Sequence, residues 1–215
     1  MKMAKIKWDA GALLAPLPCV LVTSKFGDEK DVMTAAWTGI VNTKPSKTYI
    51  SVRKSRYTYD LIKKSGVFAL NLTTENLAFA TDFCGVRSGR DIDKFERCSL
   101  KTCPASEIDV PLIAESPVSI ECRVCSVTEL GSHDMICADI VAVDVNEELV
   151  DKEGRLMLER AGLIAYVHGQ YFSLGKKIGK FGWSVEKKPK KGGNSRPQSS
   201  VHKKLTNKKP KSIEK

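Results

Sequence analysis

The side chains most capable of chemistry are concentrated in one stretch, residues 31–60. Residues 32–41 are small and hydroxylated around a single tryptophan, and small side chains let a flat ligand reach strand N–H and C=O groups. The corner at residues 53–58 then combines arginines and hydroxyls where a helix begins, and the free N–H groups of a helix start favour an anion. A planar ring beside a phosphate is the outline of flavin mononucleotide (FMN). FMN binding is therefore our central hypothesis.

The phosphate part of this hypothesis depends on the corner. Arg53 and Arg56 can each direct paired N–H donors at phosphate oxygens, and the hydroxyls of Ser55 and Thr58 can add further donors. The alternative interpretation is an ordinary helix start with solvated arginines. The small, polar run at residues 33–39 favours the binding site, because such a run is unusual for a core strand.

Two further regions are candidates for the same site. The loop at residues 84–95 follows a predicted helix end and carries two glycines, a serine and several cations, which suits either closure over a ligand or a plain solvated loop. His133 lies at the tip of a predicted hairpin. Its imidazole titrates near neutrality and could contact a cofactor or electron donor, although a surface role is the alternative. His168 is a similar case with weaker support.

The net charge of +10 belongs almost entirely to the C-terminal end. Residues 186–215 hold eleven of the 35 Lys and Arg and two of the 25 Asp and Glu, which leaves 24 against 23 in residues 1–185. We therefore predict a folded domain over residues 1–185 and a basic, disordered tail over residues 186–215. The tail could instead dock on RNA, an acidic partner or a membrane surface.

Cysteine usage and hydropathy indicate a cytoplasmic protein without a metal site. Seven cysteines form an odd set, and neither a membrane-spanning apolar run nor a credible signal peptide is present. Cys122 and Cys125 are spaced like half of a zinc site. Their strand alternates with a period of two, so the two thiols should point to opposite faces and cannot grip one ion.

The secondary-structure pattern predicts a mainly β protein: one antiparallel barrel with short helices at its corners. Val, Ile, Thr and aromatic runs bounded by turn residues predict the strands, and capping and spacing signals predict the helices. The predicted strands cover residues 19–26, 32–42, 48–53, 67–72, 118–130, 134–145, 163–167 and 170–174, and the predicted helices cover residues 57–64 and 75–84.

The chain resembles the flavin reductase-like, FMN-binding split-barrel family, specifically its flavoredoxin-like branch. The resemblance spans residues 18–185, and its most specific pieces are VMTAAWTGIVNTKP (32–45), YISVRKSRYTYDLI (49–62), NLTTENLAFATDFCGVRSGRDIDKF (71–95), ELGSHDMICADIVAV (129–143) and YVHGQYFSLGKKIGKFG (166–182). It implies a six-stranded antiparallel Greek-key split barrel that forms a homodimer, with FMN near the subunit interface.

Carried onto this sequence, the resemblance also implies the residues of the site. The strand Met33, Thr34, Ala35, Ala36, Trp37 and Thr38 would run beside the flavin ring, and His133 would lie near its reactive side. The phosphate would be held by Ser51, Val52, Arg53, Ser55, Arg56 and Thr58, and Tyr57 would also contact the cofactor. Cys84, Gly85, Ser88, Gly89 and Lys94 would line the same cleft.

The resemblance further implies an FMN-dependent oxidoreductase. It would pass electrons from NADH, NADPH or another donor through FMN to an acceptor, with the cofactor supplying the redox chemistry. One alternative is an FMN-binding redox partner or sensor without NAD(P)H activity of its own. A second, from a different class, is a nucleic-acid-associated protein that acts through its basic tail.

Overall fold

The central feature of the computed structural model, which describes residues 4–186, is a seven-stranded antiparallel sheet. Its order is β3-β2-β6-β9-β10-β5-β4, so the two edge strands follow each other in the chain and the sheet curls into a split barrel. These strands are β2 (Val20–Phe26), β3 (Glu29–Ala35), β4 (Thr38–Thr43), β5 (Ser46–Val52), β6 (Val67–Leu72), β9 (Val118–Glu129) and β10 (Asp134–Val145).

Two smaller sheets and three α-helices complete the domain. A three-stranded sheet has the order β1-β11-β12, and a two-stranded sheet pairs β7 with β8. Their strands are β1 (Leu17–Pro18), β7 (Thr102–Pro104), β8 (Pro111–Ile113), β11 (Ile164–Val167) and β12 (Gln170–Ser173). The α-helices are α1 (Tyr57–Ser65), α2 (Ala78–Val86) and α3 (Lys94–Arg97), and 3-10 turns lie at Glu75–Leu77, Glu147–Leu149, Leu158–Arg160 and Trp183–Val185.

The predicted strand at residues 32–42 is wrong as a single element, and this changes the strand count from six to seven. The structure starts β3 at Glu29, ends it at Ala35 and opens β4 at Thr38, with a bend at Ala36 and Trp37 between them. The backbone N–H of Ser51 donates to the carbonyl of Trp37 (2.8 Å), which fixes the bend against β5. The predicted mainly antiparallel barrel is confirmed.

Two hydrophobic clusters lie on opposite sides of β2. Val22, Ile50 and Ile136 fill the inside of the barrel and are fully buried. Leu21 points the other way and packs with Val32 beneath α2 and α3. Successive residues of a strand face opposite sides, so a strand buried on both faces shows that helices cover the outside of the barrel here. This covered side carries the helix ends that border the candidate site.

The helices follow their local signals with one exception. Helix α1 begins after Arg56 and ends at Gly66, which adopts a left-handed conformation (φ 72°) and donates to the carbonyl of Ile62 (2.8 Å). The predicted stop of the second helix at Gly85 is wrong, because α2 continues through Gly85 to Val86. A methyl group at Gly85 would lie 3.5 Å from Thr34, an ordinary packing distance, so α2 packs on β3 at this position.

The compact unit that holds the sheets and α-helices ends at Gly175, and the turn at Trp183–Val185 belongs to a second unit that begins at Lys176. The predicted tail lies outside the described residues except for Glu186. No helix within residues 4–186 is long and apolar enough to cross a bilayer.

All seven cysteines are free thiols. Cys122 is fully buried and Cys125 is exposed, so this pair points to opposite faces as predicted. In the described part of the chain, no group of three or more His, Cys, Asp or Glu is placed to hold a metal ion.

Candidate functional site

Two adjoining cavities lie where the β3–β4 bend, the end of β5, the start of α1 and the end of α2 meet. The first, here called the ring cavity, has a volume of about 440 Å³. The second, here called the anion cavity, has a volume of about 340 Å³. They share Met33, Arg53, Arg56 and Val86, so the two arginines lie between them.

Most of the predicted site residues line one of these cavities. In the ring cavity these are Met33, Thr34, Ala35, Ala36, Trp37, Ser51, Val52, Arg53, Arg56, Gly85 and His133. In the anion cavity, Ser55, Tyr57, Thr58, Ser88, Gly89 and Lys94 join Met33, Arg53 and Arg56. Thr38 and Cys84 line neither: Thr38 donates to the carbonyl of Tyr49 (2.6 Å), and Cys84 points from α2 into the hydrophobic core.

At the β3–β4 bend, the wall of the ring cavity is formed mostly by small or apolar side chains. Thr34 lines this wall, and its hydroxyl donates to the carbonyl of Thr81 (2.5 Å), so this group is engaged within the protein. Trp37 is 41% exposed, and its ring lies 4.6 Å from that of His133 between centroids. A flat ligand can therefore lie against backbone here, with two aromatic rings beside it.

His133 enters the ring cavity from the β9–β10 hairpin. Its carbonyl accepts from the N–H of Leu130 (2.9 Å), and its Nδ1 lies 2.9 Å from the hydroxyl of Ser132. Partial burial, and then the positive charges of Arg53 and Arg56, lower the pKa of the imidazole below its usual 6.5. His133 is therefore neutral at pH 7 and can donate or accept a hydrogen bond.

A buried carboxylate at the base of this hairpin ties it to α1 and to the corner at residues 53–58. Asp134 accepts a hydrogen bond from the hydroxyl of Tyr59 (2.7 Å) and lies 3.5 Å from the ammonium of Lys54, which also pairs with Glu129 (3.0 Å). The bond to Asp134 and burial raise the pKa of Tyr59 to about 12, so this phenol stays a donor. Asp134 is thus a positioning residue that the sequence analysis missed.

The anion cavity is rich in cations without partners. In the described part of the chain, no carboxylate lies within 4 Å of the guanidinium groups of Arg53, Arg56 or Arg87. Helix α1 begins at this cavity, and its N-cap residue Arg56 makes no side-chain capping bond. Free guanidinium groups and the positive end of a helix dipole together favour a multiply charged anion.

One carboxylate does lie at this cavity, and it organises the surrounding donors. Asp31 is buried and pairs with the ammonium of Lys94 (2.9 Å), and it also accepts from the hydroxyl of Thr58 (2.5 Å). These contacts occupy the hydroxyl of Thr58, which was expected to hold the phosphate, and the ammonium of Lys94, which was expected to line the same cleft. Gly89 passes so close that a methyl group there would lie 2.2 Å from Asp31 Oδ1. Asp31 therefore anchors the loop between α2 and α3, while Lys94 neutralises its charge.

Two tyrosines from the small three-stranded sheet complete the ring cavity. Tyr166 and Tyr171 line it, with ring centroids 5.6 Å apart. Burial, followed by the charge of Asp82, raises the pKa of Tyr171 to about 12. No local signal in the sequence joins β11 and β12 to residues 33–37, so this part of the site could not be predicted.

Comparison with known proteins identifies the family. A family model described as a flavin reductase like domain matches residues 13–175. The chain belongs to the flavin reductase-like domain family. Among similar sequences, an uncharacterized protein of Archaeoglobus fulgidus is 33% identical over 139 residues, which is 64% of this chain and 77% of that protein.

Solved structures place this flavin reductase-like chain in the flavoredoxin-like branch. Flavoredoxin of Desulfovibrio vulgaris (Miyazaki F) has a TM-score of 0.79 at 26% identity, covering 85% of this chain and 100% of flavoredoxin. Flavoredoxin from Methanosarcina acetivorans has a TM-score of 0.77 at 25% identity, covering 86% and 100%. The predicted family and split-barrel fold are confirmed, and the family relationship supports a flavin cofactor and flavin-linked redox chemistry.

Proposed function

We propose that the chain binds FMN and passes electrons from NADH, NADPH or another donor through it to an acceptor. One observation carries this proposal: Arg53 and Arg56, which form no ion pair within residues 4–186, lie between a cavity walled by small or apolar side chains and a cavity at a helix N-terminus. This arrangement suits a flat ring joined to one phosphate. A single helix start with two free arginines supports the monophosphate FMN over a larger dinucleotide.

FMN, when bound, supplies the hydride and single-electron chemistry. The chain then has three tasks. Arg53 and Arg56 neutralise the phosphate, the β3–β4 bend offers backbone groups and a flat wall to the ring, and Trp37 with His133 borders the ring edge. Neutral His133 can hydrogen-bond the flavin or a nicotinamide donor without adding a third positive charge to the site.

The proposal includes a homodimer with FMN near the subunit interface. Strand β4 begins next to the ring cavity and runs away from it. Ile40 (64%) and Val41 (51%) on this strand are exposed, and Leu130 in the β9–β10 hairpin is exposed as well. Adjacent exposed apolar side chains, such as those of Ile40 and Val41, are typical of an interface. A reducing cytoplasm is also part of the proposal, supported by seven free thiols.

The visible absorption spectrum tests the proposal. We expect protein reconstituted with FMN and passed through a desalting column to retain a flavin spectrum, which NADH or NADPH bleaches anaerobically. Retained flavin that only dithionite bleaches would favour the redox-partner alternative. Failure to retain or take up FMN would contradict both.

A further inference from the structure

A third cavity adjoins the ring cavity and differs from it in chemistry. It has a volume of about 360 Å³ and lies between the N-terminal segment and the β11–β12 hairpin. Its walls include Leu13, Leu14, Leu17 and His168, and it shares Trp37, Tyr166 and Gly169 with the ring cavity. We call it the arm cavity. Trp37 and Tyr166 line both spaces, so a ligand in the arm cavity would lie next to the ring cavity.

The arm cavity has no charged residue in its walls. The anion cavity, in contrast, is lined by Arg53, Arg56, Arg87 and Lys94. A ligand that carries phosphates, such as a nicotinamide dinucleotide, would lose the hydration of its negative charges in the arm cavity. No cation in the walls would compensate for that loss. The leucines and the aromatic rings instead favour an uncharged, flat ligand.

Two polar groups in these walls can orient such a ligand. Tyr166, paired in register with Leu17, makes no side-chain hydrogen bond to any residue in the range 4–186. His168 occupies the tight turn between β11 and β12 with a left-handed backbone (φ 46°), followed by Gly169 (φ 87°). In this turn, the imidazole of His168 lies at the wall of the arm cavity. A phenol and an imidazole are suitable donors to a ligand carbonyl.

We propose that the arm cavity is a subsite for an uncharged, planar aromatic acceptor that carries carbonyl groups, a compound of the quinone class. The inference rests on the proposed function, since bound reduced FMN is the electron source. In the balanced reaction, FMNH₂ and the quinone give FMN and the hydroquinone. Two electrons and two protons leave the flavin and reach the two quinone oxygens.

Binding of menadione, a quinone without charge, tests the subsite independently of the flavin. A Trp8→Phe/Trp183→Phe background leaves Trp37 as the only tryptophan, so its fluorescence reports occupancy next to it. We expect saturable quenching with and without FMN. Leu13→Ser/Leu14→Ser, which changes two exposed side chains, should raise the dissociation constant about fivefold to tenfold.

A matched control and a second acceptor make the result specific. Ile6→Ser alters another exposed apolar residue of the same N-terminal segment that does not line the arm cavity, and it should leave menadione binding unchanged. In stopped-flow with dithionite-reduced holoprotein, the double serine variant should need more menadione for half-maximal reoxidation. Its reoxidation by ferricyanide, a charged acceptor, should be unchanged.

The outcomes separate the two proposals. Absent or unsaturable quenching, or equal effects of the serine and Ile6 variants, would overturn the subsite. Failure to retain FMN, with menadione binding intact, would count against the flavin function alone.

Discussion

The rings of Trp37 and His133 lie 4.6 Å apart between centroids, inclined by 43°. This contact joins the β3–β4 bend to the β9–β10 hairpin, and both rings line the ring cavity. Asp134, held by Tyr59, fixes the base of the same hairpin. The position of His133 is therefore set by the fold of the barrel rather than by a mobile turn.

The titration of His133 tests the electrostatics of the site. Its pKa is lowered by burial and by Arg53 and Arg56, so the NMR midpoint of its ring protons should fall below 6.5. Arg53→Ala/Arg56→Ala should move the midpoint upward, because two positive charges are removed. Lys63→Ala, an exposed change near the other end of α1, should leave it in place. A wild-type midpoint at or above 6.5 would contradict this description.

Replacing His133 tests its part in electron transfer. We expect His133→Ala to retain FMN, because the arginines remain, and to slow reduction by NADPH or NADH roughly tenfold, the effect of about 1.4 kcal/mol from one lost hydrogen bond. Stopped-flow absorbance of the flavin measures this rate. His133→Gln should recover part of it, since an amide can replace one hydrogen bond. An unchanged rate in His133→Ala would remove His133 from the mechanism.

Replacing Gly89 tests how closely the loop between α2 and α3 approaches Asp31. In Gly89→Ala the new methyl group would lie 2.2 Å from a buried carboxylate oxygen paired with Lys94, so the loop must move. We expect a loss of about 1–3 kcal/mol in urea unfolding and weaker FMN binding. Gly11→Ala is the matched control, because its methyl group would meet nothing within 4 Å. Equal stabilities of the two variants would refute the packing described.

Replacing Glu121 tests a buried structural contact outside the ring and anion cavities. Its fully buried carboxylate accepts backbone N–H bonds from Ser106 (2.6 Å), Glu107 (2.9 Å) and Ile108 (2.9 Å). Glu121→Gln replaces one acceptor oxygen with an NH₂ group that faces these donors. It should lower the free energy of unfolding by about 2–3 kcal/mol, while exposed Glu107→Gln should change it little. A neutral effect of Glu121→Gln would show that the loop does not depend on this carboxylate.

The cysteines should differ strongly in reactivity. Burial raises the pKa of Cys84 to about 12 and raises that of Cys122 further, and both side chains are fully buried. Cys103 and Cys125 are exposed. Because the thiolate is the reactive form, timed iodoacetamide labelling with mass spectrometry should modify Cys103 or Cys125 first. Early labelling of Cys84 or Cys122 in the folded protein would contradict their burial.

The sequence predicted the parts of the site that depend on local signals. Helix α1 starts and stops where the Arg53–Arg56 corner and Gly66 indicate, and the turn around Gly131 brings His133 to a hairpin tip. These features need only a few neighbouring residues, which is why their positions could be predicted.

Long-range contacts account for what the sequence missed. The bend at Trp37 is stabilised by a hydrogen bond from the backbone N–H of Ser51. The residue types of the predicted strand at 32–42 give no local signal for this bend. The buried pair of Asp31 and Lys94 joins β3 to α3, so two charged residues far apart in sequence become one structural unit. Asp31 follows Glu29 and Lys30 and lies just before the predicted strand at residues 32–42, so no local signal indicated its burial.

The central claim is that Arg53 and Arg56 bind the phosphate of FMN, and paired titrations with FMN and riboflavin test it most directly. Riboflavin carries the same ring without the phosphate. We expect wild-type protein to bind one FMN per chain at least a hundredfold more tightly than riboflavin, since charge-assisted bonds to two arginines contribute about 1.5–3 kcal/mol each. In Arg53→Ala/Arg56→Ala this preference should largely disappear, while riboflavin affinity and the Lys63→Ala control stay near wild type. Equal affinities for FMN and riboflavin in wild-type protein, or an FMN preference that survives the loss of both arginines, would contradict the account.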